Sequence, residues 1–205
     1  MNVLVACEYS GIVRDEFSRA GWDAWSCDLL PTESKLTRQE GKHYQCDIFE
    51  VLFQDWDMLI AFPPCTYLTV TANKYFLNNP ERWEKRLTAV KFVYKLINAD
   101  IKHIAIENPV GVISTHIRKP DQYIQPYHFG HHDSKKTGLW LKNLPLLIPS
   151  DIVKPDYVTI NSKRYSKTHA YNWCNGKLRS KTYHGIAKAM ATQWTEYINN
   201  INNNS

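Results

Sequence analysis

Residues 57–66 read Asp-Met-Leu-Ile-Ala-Phe-Pro-Pro-Cys-Thr. A short apolar run, Met58-Leu59-Ile60-Ala61, is the signature of a buried strand. Pro63 and Pro64 end it, because proline has no amide hydrogen to give a sheet and fixes its own φ. Cys65 then stands just past the carboxyl end of the strand, on a stiff turn. A cysteine in an arbitrary position is more often a small packed hydrophobe than a nucleophile. Its neighbours along the chain decide the matter here.

Outward from this strand the same alternation repeats. Residues 2–6, 22–29, 43–47 and 103–107 read as strands, and residues 11–20 and 80–99 as amphipathic helices. In the longer helix Leu87, Val90, Val93, Tyr94 and Ile97 form the expected inward face. Strands alternating with helices predict an α/β fold, Rossmann-like, with a mostly parallel twisted sheet. Such sheets bind ligands outside the carboxyl ends of their strands. Glu8-Tyr9-Ser10-Gly11, Asp28, Asp47, Pro64-Cys65 and Glu107-Asn108 each follow a predicted strand, so all would share one edge.

The second half is less regular. Residues 123–129 and 137–141 read as strands, and 144–157, with three prolines, as a surface run. Residues 163–181 are basic and aromatic. A closing helix is expected over 183–198, followed by an Asn-rich tail that frays. The division expected is a core over 1–149, a small irregular recognition and DNA-contact segment over 150–181, a closing helix over 182–198 and a flexible tail over 199–205.

The 205 residues suit one domain, with 43% hydrophobic and 22% charged residues. The net charge of +5 is compatible with a polyanionic partner. The five cysteines form no close pairs in sequence, which argues against a disulfide frame or metal clip and for a reduced, cytoplasmic protein. No run is apolar enough for a membrane span, and no His and Cys have metal-ligand spacing, so neither membrane nor metal is expected.

A second motif, Ile106-Glu107-Asn108-Pro109, ends the strand at 103–107. A carboxyl at the end of a buried strand needs a partner or a pocket. With Cys65 it suggests a nucleophile and an acid acting on one ring. The order of these segments resembles that of DNA cytosine-5 methyltransferases, above all short phage and prophage members with a reduced target-recognition region. The matching stretches are VLVACEYSGIVRDEF, CDLLP, CDIFE, AFPPCTYLT, IENPVGV, IRKPDQYIQPYHFGHHDSKKTGLWLKNLPLL and RSKTYHGIAKAMATQW, within about residues 2–195.

The resemblance implies a class I S-adenosylmethionine-dependent methyltransferase fold and S-adenosylmethionine as cofactor. It makes Cys65 the thiolate that adds to carbon 6 of cytosine, so that carbon 5 can attack a methyl group. Glu107, in its protonated form, would hold ring nitrogen 3 and the exocyclic amine, and Asn108 would orient the loop. Arg118 is the nearest basic element to the family's supporting arginines. Cofactor contacts are expected from Glu8, Tyr9, Ser10, Gly11 and Pro63, with Asp28 on the ribose and Asp47 with Ile48 at the adenine. For each aspartate a cap or turn role is equally open.

DNA is the expected partner, contacted by Lys135, Lys136, Arg164, Lys167, Arg179 and Lys181. A duplex target must be extruded for attack on its ring face, and Tyr67 is the bulkiest residue available to fill the gap. With so short a recognition segment, relaxed recognition, a homodimer and a single-stranded target all remain open. A different class, amino-group methylation, calls for an aromatic residue after Pro-Pro, where this chain has Cys65. A non-enzymatic alternative is a degenerate methyltransferase fold that only binds DNA or a host protein.

Overall fold

The computed structural model describes residues 1–35, 42–171 and 176–204. In chain order these form β1 (Asn2–Ala6), α1 (Ile12–Arg19), β2 (Asp23–Asp28), β3 (Lys42–Gln45), β4 (Met58–Ala61), α2 (Pro80–Ile97), β5 (His103–Pro109), α3 (Ile113–His116), β6 (Gln122–Ile124), β7 (Thr137–Lys142), β8 (Tyr157–Ile160), β9 (Lys163–Ser166), α4 (Lys167–Tyr171), α5 (Gly176–Ser180) and α6 (His184–Asn203). Seven strands make one sheet in the order β3-β2-β1-β4-β5-β7-β6. Neighbours from β3 to β5 pair in parallel, and β7 runs antiparallel to both β5 and β6. This is the doubly wound order 3-2-1-4-5-6 with one antiparallel strand inserted before the last. The order reverses between β1 and β4, so their carboxyl ends flank the ligand crevice.

Both sheet faces are buried, which is why the central strands read as continuous apolar runs rather than as alternations. Side chains still alternate between the faces. Val3, Val5, Met58, Ile60, Ala105 and Leu139 pack with α1 and α6, through Val13, Phe17, Ile186, Met190 and Trp194. Leu4, Ala6, Leu59, Ala61, Ile104 and Ile106 pack on the opposite face with Val93 and Leu96 of α2 and Ile113 of α3.

Three expectations change. In α2, Leu87 and Tyr94 are 61% and 56% exposed, whereas Arg86 and Leu96 are buried. Arg86 turns inward because its guanidinium donates to the Tyr67 carbonyl (2.8 Å) and to Asn73 Oδ1 (2.9 Å) and lies 3.5 Å from the centre of the Phe76 ring. The strand expected over 123–129 stops at Ile124, and a 3-10 turn, Pro126–His128, follows, since Pro126 offers the sheet no donor. Residues 199–203 continue α6 rather than fraying, and Ile198 is still buried one residue earlier.

Within 150–181, β8 and β9 form a separate two-stranded hairpin. Its turn residues Asn161 and Ser162 both have positive φ, 47° and 61°, the turn that matches the twist of a hairpin. Among the described residues no helix is long and apolar enough to cross a membrane.

Candidate active site

The turn after β4 carries Cys65 and is fastened from three sides. Period-2 alternation puts Asn108 on the α2 face with Ile106, and its side-chain amide donates to the Pro63 carbonyl (2.8 Å). The amides of Leu68 and Thr69 donate back to the Cys65 carbonyl (3.0 and 3.1 Å), and the Val112 amide donates to the Leu68 carbonyl (2.8 Å). Gly111 makes that last approach possible: a Cβ there would lie 2.1 Å from the Leu68 carbonyl oxygen. Arg86 holds the Tyr67 carbonyl from below. A turn tied this closely presents its thiol in one direction.

The same alternation sends Glu107 to the α6 face, with Ala105. There it lines a recess of about 280 Å³, counted to its open mouth, with Ile124, Pro126, Lys135, Thr137, Thr182, Tyr183 and Ile186. Burial lifts the Glu107 carboxyl above the ordinary carboxylate range, against the opposing pull of Lys135 and a hydrogen bond from Thr137. Burial likewise raises the half-buried Cys65 thiol; Lys135 and, more weakly, Arg179 favour its thiolate, while the Glu107 charge opposes it. Cys65 itself is not among the residues lining this recess; its turn follows the neighbouring strand β4.

The β1–β3 end of the edge is built differently. Glu8 is 4% exposed and turned inward. It accepts from the Val13 and Arg14 amides (2.7 and 3.3 Å) and from the Ser10 hydroxyl (3.2 Å), and so caps α1. Burial nevertheless raises its pKa to about 7. The Glu8 oxygens thus serve its own turn. Gly11 allows that turn with φ 74°, and a Cβ would lie 2.6 Å from Ser34 Cβ. Tyr9 is buried and donates its hydroxyl to the Lys177 carbonyl (2.6 Å).

Asp28 ends β2 and accepts from the Leu30 amide (2.9 Å). Asp47 accepts from the Phe49 amide (2.9 Å) in a reciprocal capping box with Glu50, and Ile48 points into the core. Pro63 is buried.

Arg118 lies apart from the recess. Its guanidinium pairs with Asp121 (2.7 Å) and donates to the Leu141 carbonyl (2.9 Å). The Trp140 indole, packed on the α2 face, donates to the Arg118 carbonyl (2.7 Å), so Arg118 braces the sheet edge beside the face opposite Glu107.

Of the expected DNA contacts, Lys135 and Arg179 stand near Cys65. Lys136 lies over Tyr123 (4.3 Å), Arg164 over Tyr157 (3.8 Å), and Tyr67 beneath Arg82 (5.1 Å). Lys167 pairs with Asp156, and Lys181, with Lys177, pairs with Glu33 (2.6 and 2.7 Å). Such exposed pairs contribute little and yield readily to a phosphate. Part of the basic stretch, residues 172–175, lies outside the described residues.

Sequence reasoning missed Thr137, Thr182 and Tyr183 as walls of the recess, and Gly111 as the clearance for the cysteine turn. Gly111 could have been found from its place two residues after Pro109.

Fold and edge together define a Rossmann-like α/β protein with a thiol and a half-buried acid at the carboxyl ends of adjacent parallel strands. No protein-family model and no curated protein matches the chain. Among solved structures it is similar to a protein described as a candidate DNA modification methyltransferase encoded within an E. coli prophage. Identity is 14% and the TM-score 0.47, over 75% of this chain and 52% of the other. The chain thus spans about half the length of that protein.

Proposed function

We propose that the chain is an S-adenosylmethionine-dependent DNA methyltransferase acting on carbon 5 of cytosine, with Cys65 as nucleophile. One observation carries this: Cys65 and Glu107 come from the ends of the adjacent parallel strands β4 and β5, and Glu107 lines a recess there with Lys135. The Cys65 thiolate adds to carbon 6 of an extruded cytosine, and the displaced electron pair moves through the ring towards nitrogen 3. In its protonated form, which burial favours, Glu107 donates to that nitrogen and accepts from the exocyclic amine. Carbon 5, now enamine-like, takes the methyl group; loss of its proton to a base then expels the thiolate. Asn108 acts through the loop, by fixing Pro63.

The cofactor supplies an electrophilic methyl group. The crevice between β1 and β4 fits its nucleoside end, because Asp28 uses one oxygen on Leu30, and among the described residues nothing holds the other. Asp28 would hold the ribose hydroxyls, with Asp47 and Ile48 beside the adenine. The Val13 and Arg14 amides are already bound by Glu8, so the amino-acid end falls to the Tyr9-Ser10-Gly11 turn. Lys177 and Lys181, now paired with Glu33, would exchange that partner for phosphates, with Arg179 beside them in the chain. Bisulfite sequencing of DNA from cells expressing the protein tests the whole reading. Protected cytosines at a common sequence are expected; full conversion in the presence of folded protein would refute methyl transfer to carbon 5.

A further inference from the structure

Sheet register brings together two cysteines that are far apart in the chain. β2 and β3 run in parallel, with Trp25 opposite Lys42 and Cys27 opposite Tyr44. Alternation puts Trp25 and Cys27 on the α2 face, where Tyr44 and Cys46 pack beside them. Trp25 stacks on Tyr44, one diagonal step along the neighbouring strand, with ring centres 4.5 Å apart and planes at 15°. The next step of the same diagonal joins Cys27 to Cys46. Their sulfurs lie 3.9 Å apart, and the Cys27 thiol donates to the Cys46 carbonyl (3.5 Å).

The two thiols differ in setting. Cys27 is buried inside β2, which is paired on both sides, to β1 and to β3. Burial pushes its thiol up to about 12. Cys46 is half-buried in a bend just past the end of β3. The thiolate is the attacking form, so the more accessible Cys46 reacts first and Cys27 second. Each cysteine also directly precedes an aspartate of the ligand edge: Asp28 follows Cys27, and Asp47 follows Cys46.

We propose that Cys27 and Cys46 are an oxidation site: a small-molecule disulfide such as oxidised glutathione converts them to an internal disulfide, which draws the Cys46 bend towards β2 and pulls Asp47 from its place at the crevice. The Cys46 thiolate attacks one sulfur of the oxidant, forms a mixed disulfide and expels one glutathione thiolate. Cys27 then gives its proton to solvent, and its sulfur attacks that of Cys46 and expels the second thiolate. Two protein thiols are oxidised by two electrons, and one glutathione disulfide becomes two glutathione thiols. The sulfurs must close from 3.9 Å to about 2 Å. Cys27 is fixed in the sheet, so the bend does the moving and carries Asp47 with it. The disulfide stands on the sulfur geometry alone; only its effect on S-adenosylmethionine rests on the methyltransferase reading.

The test incubates the folded full-length protein with oxidised glutathione, blocks the remaining thiols, and digests without reduction using trypsin and a Glu-specific protease. A linked pair of fragments, 20–33 and 43–50, is expected, released by dithiothreitol. Glutathione adducts alone, or a link through Cys7 or Cys65 instead, would overturn the proposal. In the linked protein the Phe49 amide, which Asp47 now holds, should exchange its hydrogen about tenfold faster by NMR, while the Leu30 amide, held by Asp28, keeps its rate. A link that leaves Phe49 unchanged would overturn the displacement of Asp47. Cys46→Ala leaves the buried Cys27 in place and should show neither link nor faster exchange; an oxidant effect on Phe49 that persists in it overturns the proposal. Calorimetry with S-adenosylmethionine separates the two ideas. Binding about tenfold weaker in the linked form, restored by dithiothreitol, is expected. Linked protein with a faster Phe49 amide that binds no S-adenosylmethionine even when reduced removes the cofactor reading alone, whereas equal binding in both forms overturns the effect on the crevice.

Discussion

The two halves of the ligand edge use acidic residues in opposite ways. At the ends of β1, β2 and β3, Glu8, Asp28 and Asp47 each accept hydrogen bonds from backbone amides of their own turns. At the end of β5, Glu107 reaches past its own turn into a recess, where its neighbours are side chains from β7 and the turn before it. A carboxylate already bonded to its own backbone stabilises the fold; one held among side chains, short of water, is available to a ligand. On the proposed reading, the first half is scaffold with a cofactor crevice, and the second half carries the chemistry.

The sharpest way to break this contrast is Glu107→Gln. A loss of about 10²–10⁴-fold in methyl transfer, with an unchanged melting temperature, is expected if Glu107 acts as an acid. Near-normal turnover would put it among the scaffold residues. On the other side stands Glu8, whose folded pKa of about 7 lies above its ordinary 4.5 because burial disfavours the charge. The folded state then binds the proton more tightly than the unfolded one. The Glu8 contribution is complete below about pH 4.5 and is lost as pH rises through 7, a change of about 3 kcal/mol. Urea unfolding of the wild type should show that decline and Glu8→Gln should lack it; parallel curves would mean that Glu8 ionises as if exposed.

Gly111→Ala tests the fastening of the cysteine turn. With a Cβ 2.1 Å from the Leu68 carbonyl, the turn must shift. A loss of about 2 kcal/mol in denaturant stability, together with slower Cys65 chemistry, is expected. The smallest effect belongs to Asp47→Ala, which removes a capping box and should cost about 1 kcal/mol of stability. Unchanged stability would show that the capping box does not hold this turn.

Much of this was legible in the sequence, because the sheet is parallel and buried. β1, β4 and β5 announce themselves as apolar runs that end in Glu8, Pro63-Pro64 and Glu107-Asn108, and parallel direction brings those ends to one edge. Composition could not reveal which acid faces inward. Glu8 and Glu107 each follow a strand, and only tertiary packing distinguishes a cap from a recess. The face of α2 was misassigned for a related reason: Arg86 forms hydrogen bonds to a loop distant in sequence, and periodicity cannot see them. Arg118 was the nearest arginine along the chain, but β6 and β7 carry it to the far side of the sheet edge, whereas Lys135 enters the site from the turn before β7.

The central claim concerns one sulfur. Duplex and single-stranded oligonucleotides containing 5-fluorocytosine, incubated with S-adenosylmethionine, should form a denaturation-resistant adduct that peptide mapping places on Cys65, and Cys65→Ser should form none. An adduct on another residue, or one that survives in Cys65→Ser, would contradict the account.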